Sequence, residues 1–220
     1  DSATLAGTTV PSWLTFTAAT GVLAGTPTNA EVGSHSVVIT ATDTNSASTT
    51  QSFTLVVANT NDAPTVTSTA VTSATEDSAY TYTVTASDVD VGDTLTMTGT
   101  TVPSWLTFTA ATGVLSGTPL NANVGDNSVV ITVGDGTTTV TDTFTITVAN
   151  TNDAPTITST AVTAATEDSL YTYAVTASDV DTGDTVTLSG TTIPSWMTFS
   201  STSVLSGTPT NAEVGSHAVV

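Results

Sequence analysis

The sequence contains no lysine, no arginine and no cysteine among its 220 residues. Without lysine and arginine the chain cannot neutralise nucleic-acid phosphates or an anionic membrane surface, so nucleic-acid binding is excluded. Without cysteine, disulfides, thiol chemistry and thiolate-bound zinc are excluded. The carboxylates must therefore be paired with metal ions, hydrogen-bonded to the backbone or left in water.

Long apolar segments are also missing, because runs such as Leu55–Ala58 are far too short to cross a bilayer. We therefore expect no membrane insertion within this sequence. Nineteen acidic residues give a net charge of −19, although only 9% of the residues are charged. The abundance of threonine, valine and isoleucine favours a β-rich folded protein over a disordered acidic chain.

The sequence repeats itself with a period of about 91 residues. Thr-Val-Pro-Ser-Trp-Leu-Thr-Phe occurs at 9–16 and 101–108, and a close variant occurs at 192–199. Asn-Thr-Asn-Asp-Ala-Pro occurs at 59–64 and 150–155. This period suits a small autonomous domain, and we expect the sequence to be a window of a longer tandem array. The predicted modules are the C-terminal part of one at 1–60, a complete one at 61–151 and the N-terminal part of a third at 152–220.

Alternating apolar side chains predict β-strands within the complete module. Every second residue from Tyr80 to Ala86 is apolar and threonine fills most of the positions between, and similar alternation occurs at 129–133 and 144–148. Turn-like segments separate these strands, and no segment has helical periodicity. The pattern predicts an all-β fold of β-sandwiches, each with about seven strands and without a helix, in which Trp105 fills the space between the sheets.

Pro-Ser-Trp-Leu-Thr-Phe, followed by Thr-Gly-Val-Leu-Ser-Gly-Thr-Pro, resembles bacterial immunoglobulin-like and dystroglycan-type cadherin-like modules. Asp-x-Asp after the second strand and Asn-Asp-x-Pro at the end of the module are similar to a cadherin repeat. This resemblance covers the whole chain and implies Greek-key sandwiches arranged end to end in large secreted or surface-attached adhesins, often calcium-dependent. The chain departs from the pattern at Asn123, where the other modules carry glutamate, and this implies weaker or fewer ion sites.

The predicted strand directions bring acidic residues of neighbouring modules to each linker. If Asn61-Asp62 marks the top of the complete module, the second strand runs upward and delivers Asp88 and Asp90 beside it. The first strand runs downward, so Glu76 lies at the opposite end with the second linker. The first linker should gather Glu31, Asn61, Asp62, Asp88, Asp90 and Asp135, and the second should gather Glu76, Asn123, Asn152, Asp153, Asp179 and Asp181.

Oxygen ligands in this number, with amide carbonyls among them, are typical of Ca²⁺ at six- to eightfold coordination. Mg²⁺ requires a stricter octahedron, and transition metals favour imidazole or thiolate ligands. Any single Asp-x-Asp also suits an ordinary turn, because aspartate and asparagine favour turns. Clustering at both linkers makes calcium the preferred interpretation.

Enzymatic activity is not expected from these residues. The sequence has no G-x-S-x-G nucleophile motif, and its carboxylates recur at module ends rather than as one glycosidase pair. The leading interpretation is an extracellular structural or adhesive repeat that forms a calcium-rigidified rod or filament segment of a large surface protein. Its partners would be neighbouring repeats, with other copies in a fibre or cell-surface glycans as further candidates. The alternatives are a glycan-binding module and a passive spacer that presents a distal adhesive or catalytic domain.

Overall fold

The structure, a computed structural model, describes residues 3–220. These residues form nineteen β-strands and three single-turn 3₁₀ helices. The strands before residue 60 are β1 (Thr4–Thr9), β2 (Thr15–Thr17), β3 (Val22–Ala24), β4 (Gly33–Thr42) and β5 (Ser48–Val57). Those of the middle repeat are β6 (Thr65–Val66), β7 (Ser73–Thr75), β8 (Tyr80–Thr83), β9 (Ala86–Ser87), β10 (Thr96–Thr101), β11 (Leu106–Thr109), β12 (Val114–Gly117), β13 (Gly125–Gly134) and β14 (Thr139–Ala149). The third repeat has β15 (Thr156–Ile157), β16 (Tyr171–Ala174), β17 (Ala177–Ser178), β18 (Met197–Phe199) and β19 (Val204–Gly207).

The chain forms two compact units, and each contains one of the two linkers. The first unit comprises the described residues up to Val71 together with Thr81–Leu115 and Ser128–Phe144. The second unit comprises Thr72–Tyr80, Ser116–Asn127 and Thr145–Val220. This division does not test the module boundaries at 60 and 151, which stay a prediction.

In the first unit, the residues before the linker form the antiparallel sheet β1-β4-β5 and the hairpin β2-β3. Strands β4 and β5 pair along their full length, from Gly33 opposite Val57 to Thr42 opposite Ser48. In the middle repeat, the sheets have the strand orders β10-β13-β14-β7 and β11-β12-β8. The ring of Tyr82 on β8 meets that of Phe144 on β14 edge-on, with centroids 5.5 Å apart. The two sheets of the sandwich therefore pack face to face, as predicted.

In the second unit, β14 pairs with β7 in parallel, with Val148 opposite Ala74. The third repeat forms the sheet β16-β19-β18 and the short pair β15-β17. Buried side chains alternate with exposed threonine along β8 and β14, because one face of each strand lies against the core. The predicted two-residue periodicity is thus confirmed, and the all-β fold with it. None of the described residues belongs to a helix long and apolar enough to cross a membrane.

The middle repeat has nine strands rather than about seven, because both its start and its second predicted strand divide between sheets. Strand β6 pairs with β9, whereas β7 lies beside β14. Strand β8 belongs to the sheet with β11 and β12, whereas β9 pairs with β6. The change occurs after Val84, whose N–H donates to the carbonyl of Gly113, and before Thr85, whose carbonyl accepts from Thr67 N–H. The continuous alternating pattern from Tyr80 to Ala86 therefore forms two strands. The change of partner takes the chain from one sheet towards the end of the repeat where the linker lies.

A register shift recurs at equivalent glycines in two repeats. The pairing of β10 with β13 shifts between Gly99 and Thr101, and that of β1 with β4 shifts between Gly7 and Thr9. A Cβ on Gly99 would lie 2.6 Å from Cγ2 of Val102, closer than real contacts allow. A larger residue at Gly99 would therefore force Val102, in the chain that folds back against the strand, to shift.

The expectation of a chain without helices is wrong. Each repeat contains a 3₁₀ helix, at Asn29–Glu31, Asn121–Asn123 and Asn211–Glu213. The third residue of each turn accepts a hydrogen bond from the backbone N–H that precedes the helix, as in a capping box. One turn is too short to show helical periodicity in the sequence. Trp105, expected to fill the core, is only half-buried, whereas its neighbour Leu106 is buried.

Candidate cation sites at the two linkers

The first linker is held by hydrogen bonds to both of its flanking repeats. The N–H of Asp62 donates to Oδ2 of Asp90 at 2.7 Å, and Nδ2 of Asn61 donates to Oδ2 of Asp135 at 3.0 Å. From the preceding repeat, Nδ2 of Asn29 donates to Oδ2 of Asp62 at 2.6 Å. The structure therefore brings Asn61, Asp62, Asp90 and Asp135 together, in the arrangement that the strand directions predict.

An acidic loop follows β9 and lies against this linker. Asp88, Asp90 and Asp93 each offer a carboxylate oxygen within 4.8 Å of the others, and we call them the first acid group. Oδ1 of Asp88 accepts from the N–H of Asp90 at 2.9 Å, which closes the loop into an Asx turn. Asp90 is only 6% exposed.

Two carboxylate oxygens of the first acid group are buried and have no hydrogen-bond partner, namely Oδ2 of Asp88 and Oδ1 of Asp90. Native structures rarely leave a buried charged oxygen unsatisfied, because its lost hydration is costly. Burial, followed by the charges of Asp90, Asp88 and Asp135, raises the pKa of Asp93 above its ordinary value. The loop therefore lacks a positive partner.

Asp135 behaves differently, because donors surround its carboxylate. Oδ1 accepts from the backbone N–H groups of Thr137 and Thr138, both at 2.6 Å, and Oδ2 accepts from the Thr138 hydroxyl at 2.7 Å. These bonds, led by that from the Thr138 backbone, hold the pKa of Asp135 well below its usual range. Asp135 thus keeps a negative charge beside the linker at any physiological pH.

The second linker repeats this arrangement in the second unit. The N–H of Asp153 donates to Oδ2 of Asp181 at 2.6 Å, and Nδ2 of Asn121 donates to Oδ2 of Asp153 at 2.7 Å. Asp179, Asp181 and Asp184 form the second acid group, again with carboxylate oxygens within 4.8 Å. Oδ1 of Asp181 is buried without a partner, and the residue is 5% exposed.

A third acid group, Glu76, Asp77 and Asp153, lies at the same linker. Glu76 is only 2% exposed, and its Oε2 accepts from the N–H of Thr151 at 3.1 Å. Its backbone N–H donates to the carbonyl of Ala149, at the end of β14. The linker residue Asp153 connects this group, from the end of one repeat, with Asp181, from the start of the next.

The comparisons with known proteins agree with this architecture. Residues 1–58, 63–149 and 154–220 match the family described as Putative Ig domain. The chain belongs to this immunoglobulin-like family. Among solved structures, PcdhgB3 EC1–4 is 17% identical with a TM-score of 0.58, over 99% of this chain and 58% of that chain. Human CDH23 EC21–23 is 15% identical with a TM-score of 0.59, over 94% of this chain and 79% of that chain. At these low identities, the structural similarity shows the fold alone, which is that of a cadherin-like and Ig-like repeat.

One further match is to part of an enzyme. The endo-fucoidan hydrolase MfFcnA4 from glycoside hydrolase family 107 is 31% identical over 96% of this chain, with a TM-score of 0.39. The chain spans about a third of that protein, 35% of its length. At this TM-score the likeness does not extend to function, and repeats of the Ig-like and cadherin-like type are typically non-enzymatic. No curated protein matches the chain.

Three predicted ligands of the Ig-like repeats have other hydrogen bonds in the structure. Oε2 of Glu31 accepts from Thr28 through its N–H and its hydroxyl, at 2.8 and 2.7 Å, and these bonds lower the Glu31 pKa. Oδ1 of Asn123 accepts from the N–H of Leu120 in the equivalent turn. The exposed Asn152 donates to the carbonyl of its neighbour Asp153. Their role as ligands stays a prediction.

Sequence reasoning missed five residues of the linker networks: Asn29, Asp77, Asp93, Asn121 and Asp184. The repeats carried a signal for all five. Asp93 and Asp184 end the matching hexapeptides Asp-Val-Asp-Val-Gly-Asp and Asp-Val-Asp-Thr-Gly-Asp, and Asn29 and Asn121 open matching 3₁₀ turns. Asp77 and its counterpart Asp168 both lie in the repeated Thr-Glu-Asp-Ser and both have a left-handed backbone at φ 58°.

Proposed function

We propose that the chain is part of an extracellular structural or adhesive rod whose linkers bind Ca²⁺. The observation that carries the proposal is the set of buried, unpartnered carboxylate oxygens on Asp88, Asp90 and Asp181. With no lysine or arginine in the sequence, a bound cation is the remaining strong partner for these oxygens. All the potential ligand atoms of the three acid groups are carboxylate oxygens. Such hard ligands fit Ca²⁺ and disfavour thiophilic metals.

The residues that would hold the ion come from three parts of the chain at each linker. At the first linker they are the acid group of Asp88, Asp90 and Asp93, with Asn61, Asp62 and Asp135 beside it. At the second they are the acid groups of Glu76, Asp77 and Asp153 and of Asp179, Asp181 and Asp184. Bound Ca²⁺ would supply positive charge and neutralise the repulsion among these carboxylates.

This arrangement gives the ion a mechanical role. Asp62 and Asp153 belong to the linkers, and hydrogen bonds already join each of them to residues of both flanking repeats. An ion bound by the linker and by the acidic loop after it would resist bending between them. Extracellular Ca²⁺ modules bind with Kd of about 10⁻⁴–10⁻³ M, so the linkers would be stiff outside cells, where calcium is abundant.

Small-angle X-ray scattering of the full chain tests this proposal. In millimolar Ca²⁺ we expect a larger maximum dimension and a narrower distance distribution than in EDTA. Mg²⁺ at the same concentration and ionic strength is the control for simple charge screening. Identical scattering in Ca²⁺ and EDTA would contradict the rigid rod, and an equal response to Mg²⁺ would contradict a calcium site. A glycan array would separate the rod from the glycan-binding alternative.

A further inference from the structure

Two segments of the middle repeat, one near its start and one at its end, lie side by side. Strand β7 pairs in parallel with the last residues of β14. The N–H of Thr147 donates to the carbonyl of Thr72 at 3.0 Å, and the N–H of Glu76 donates to the carbonyl of Ala149 at 2.9 Å. Both segments belong to the second unit, and we call them the paired segments, 72–76 and 147–151.

The side chain of Glu76 adds further hydrogen bonds between the paired segments. It is almost completely buried, and its Oε2 accepts from the N–H of Thr151 at 3.1 Å. The hydroxyl of Thr151 donates in return to the carbonyl of Glu76 at 3.3 Å. The N–H of the next residue, Asp77, donates to the carbonyl of Pro119 at 2.9 Å, which anchors the turn after β7 within the same unit. A buried carboxylate therefore closes the pairing at the end of both segments.

The parallel direction of the two strands decides how these bonds respond to a pull on the two linkers. A pull from the first linker reaches β7 at its N-terminal end, whereas a pull from the second linker reaches β14 at its C-terminal end. In a parallel pair these two ends lie opposite, so the strands are pulled past each other along their axes. The hydrogen bonds that cross the pair are then loaded together.

Strand β6 lies earlier on the same path and does not replace this resistance. It pairs with β9, within the first unit, and not with β14. Release of β6 would lengthen the chain between the first linker and β7 but would leave the paired segments in register. The load would then pass to β7.

We propose that the paired segments form a load-bearing clamp and that the buried carboxylate of Glu76 closes it. The clamp resists a pull on the linkers because the strand pairing and the bonds between Glu76 and Thr151 break in one step. A pull that separates the strands from one end would break the same bonds one after another. The clamp requires no ion and so goes beyond the proposed calcium function: it keeps the middle repeat folded under tension, whatever the linkers bind.

Single-molecule force spectroscopy of the full chain in EDTA tests the direction of loading. The sequence has no cysteine, so pairs of introduced cysteines are unique attachment points. Ala63→Cys with Ala154→Cys, both at exposed linker positions, pulls the paired strands past each other. Ala79→Cys with Ala154→Cys pulls from the end that follows both strands and peels them apart. At equal force, the middle repeat should unfold at least about tenfold more slowly in the first geometry, because several hydrogen bonds then break together.

Substitutions of Glu76 test its role in the first geometry. Glu76→Ala removes the acceptor for the N–H of Thr151 and should raise the unfolding rate at fixed force by about tenfold. Glu76→Gln keeps an oxygen that can accept this bond, so its rate should stay much closer to that of the parent. Leu115→Ala is the matched control for general destabilisation, because Leu115 is fully buried on β12, outside the paired segments. It should lower the urea midpoint but leave the rate under force within about twofold of the parent, because the core is still intact when the clamp breaks.

Each result decides one part of the proposal. Equal unfolding rates in the two geometries would overturn the clamp, and this comparison needs no change at Glu76. An unchanged rate for Glu76→Ala, or an equal increase for Glu76→Gln or Leu115→Ala, would overturn the role of Glu76. Because Glu76 also belongs to the third acid group, the measurements in EDTA separate the clamp from ion binding. A scattering result against the calcium site would therefore leave the clamp in place, and failure of the clamp would leave the calcium site in place.

Discussion

Asp90→Asn should separate the calcium dependence of the middle repeat from its fold. Asp90 lies in the loop after β9, and its Oδ1 is buried without a partner. Asparagine has nearly the same shape, and its amide oxygen can still accept the hydrogen bond from Asp62 N–H. The substitution therefore removes one negative charge with little change in packing. Its effect on stability should change sign with Ca²⁺.

Without calcium, Asp90→Asn should stabilise the protein. The carboxylate oxygens of Asp88 and Asp90 lie within 4.8 Å of each other. Two unit charges at such a distance repel by roughly 3 kcal/mol at an effective dielectric constant of about 20. Because Asp88 is only half-buried, water and salt reduce this repulsion, and we expect a gain of about 1 kcal/mol in EDTA.

With calcium, the same substitution should destabilise the protein relative to the parent. A ligand that binds only the folded state adds about 1.4 kcal/mol at ten times its Kd and about 2.7 kcal/mol at a hundred times its Kd. For sites of ~10⁻⁴–10⁻³ M, about 10 mM Ca²⁺ covers this range. Asp90→Asn removes a buried ligand, so most of that gain should be lost.

Differential scanning calorimetry of both proteins in EDTA and in Ca²⁺ measures these changes. Asp126→Asn is the matched control, because Asp126 is exposed and belongs to none of the acid groups. Its carboxylate accepts a hydrogen bond from the Thr147 hydroxyl. The control should respond to Ca²⁺ as the parent does. An equal rise in Tm with Ca²⁺ for Asp90→Asn and the parent would refute the assignment of Asp90 as a ligand.

Three further substitutions test the fold and the linker network. Ile146→Ala should lower the free energy of unfolding by ~2–5 kcal/mol through a core cavity, seen as a lower urea midpoint; a change within experimental error would contradict its burial. Because hydrogen bonds from Thr138 lower the pKa of Asp135, its stabilisation is present above pH ~4 and is lost as the pH falls further, so Asp135→Asn should flatten the acid limb of Tm against pH in EDTA. Asn127→His should be tolerated, because His35 contacts the equivalent turn carbonyl at 2.6 Å, whereas Asn127→Ala should lower Tm; equal melting of the two would contradict this role.

Strand direction explains why much of the linker network could be predicted from the sequence. Alternation fixed which side chains of β8 face the core, and antiparallel connections then fixed the end of the sandwich at which Asp90 emerges. The linker motif marked that same end. The contact between Asp62 and Asp90 follows from these two patterns, without knowledge of any side-chain conformation.

The 3₁₀ turns explain what the sequence did not show. Glu31 is predicted at the linker because it is acidic and lies at the correct end of its repeat, and its role as a ligand stays a prediction. In the structure its Oε2 accepts from Thr28, and Asn29, two residues earlier, donates to Asp62. In a single turn, the residues two positions apart point in different directions, so a pattern of charge alone cannot choose between them. Asn123, which replaces this glutamate in the middle repeat, does not distinguish a ligand from a capping residue, because asparagine can also close the capping box.

Because the chain has no lysine or arginine, its linkers contain no side chain of those two types to offset their carboxylates. In most proteins a cluster of three carboxylates can be offset by a nearby ammonium or guanidinium group. Here Asp90 and Asp181 have buried oxygens without such a partner, and any stabilising cation must come from the solvent. Under the proposed function, the free energy of each linker would depend on the ion concentration outside the molecule rather than on an internal salt bridge. For a repeat of this family, that dependence would allow one sequence to be compliant where calcium is scarce and stiff where it is abundant.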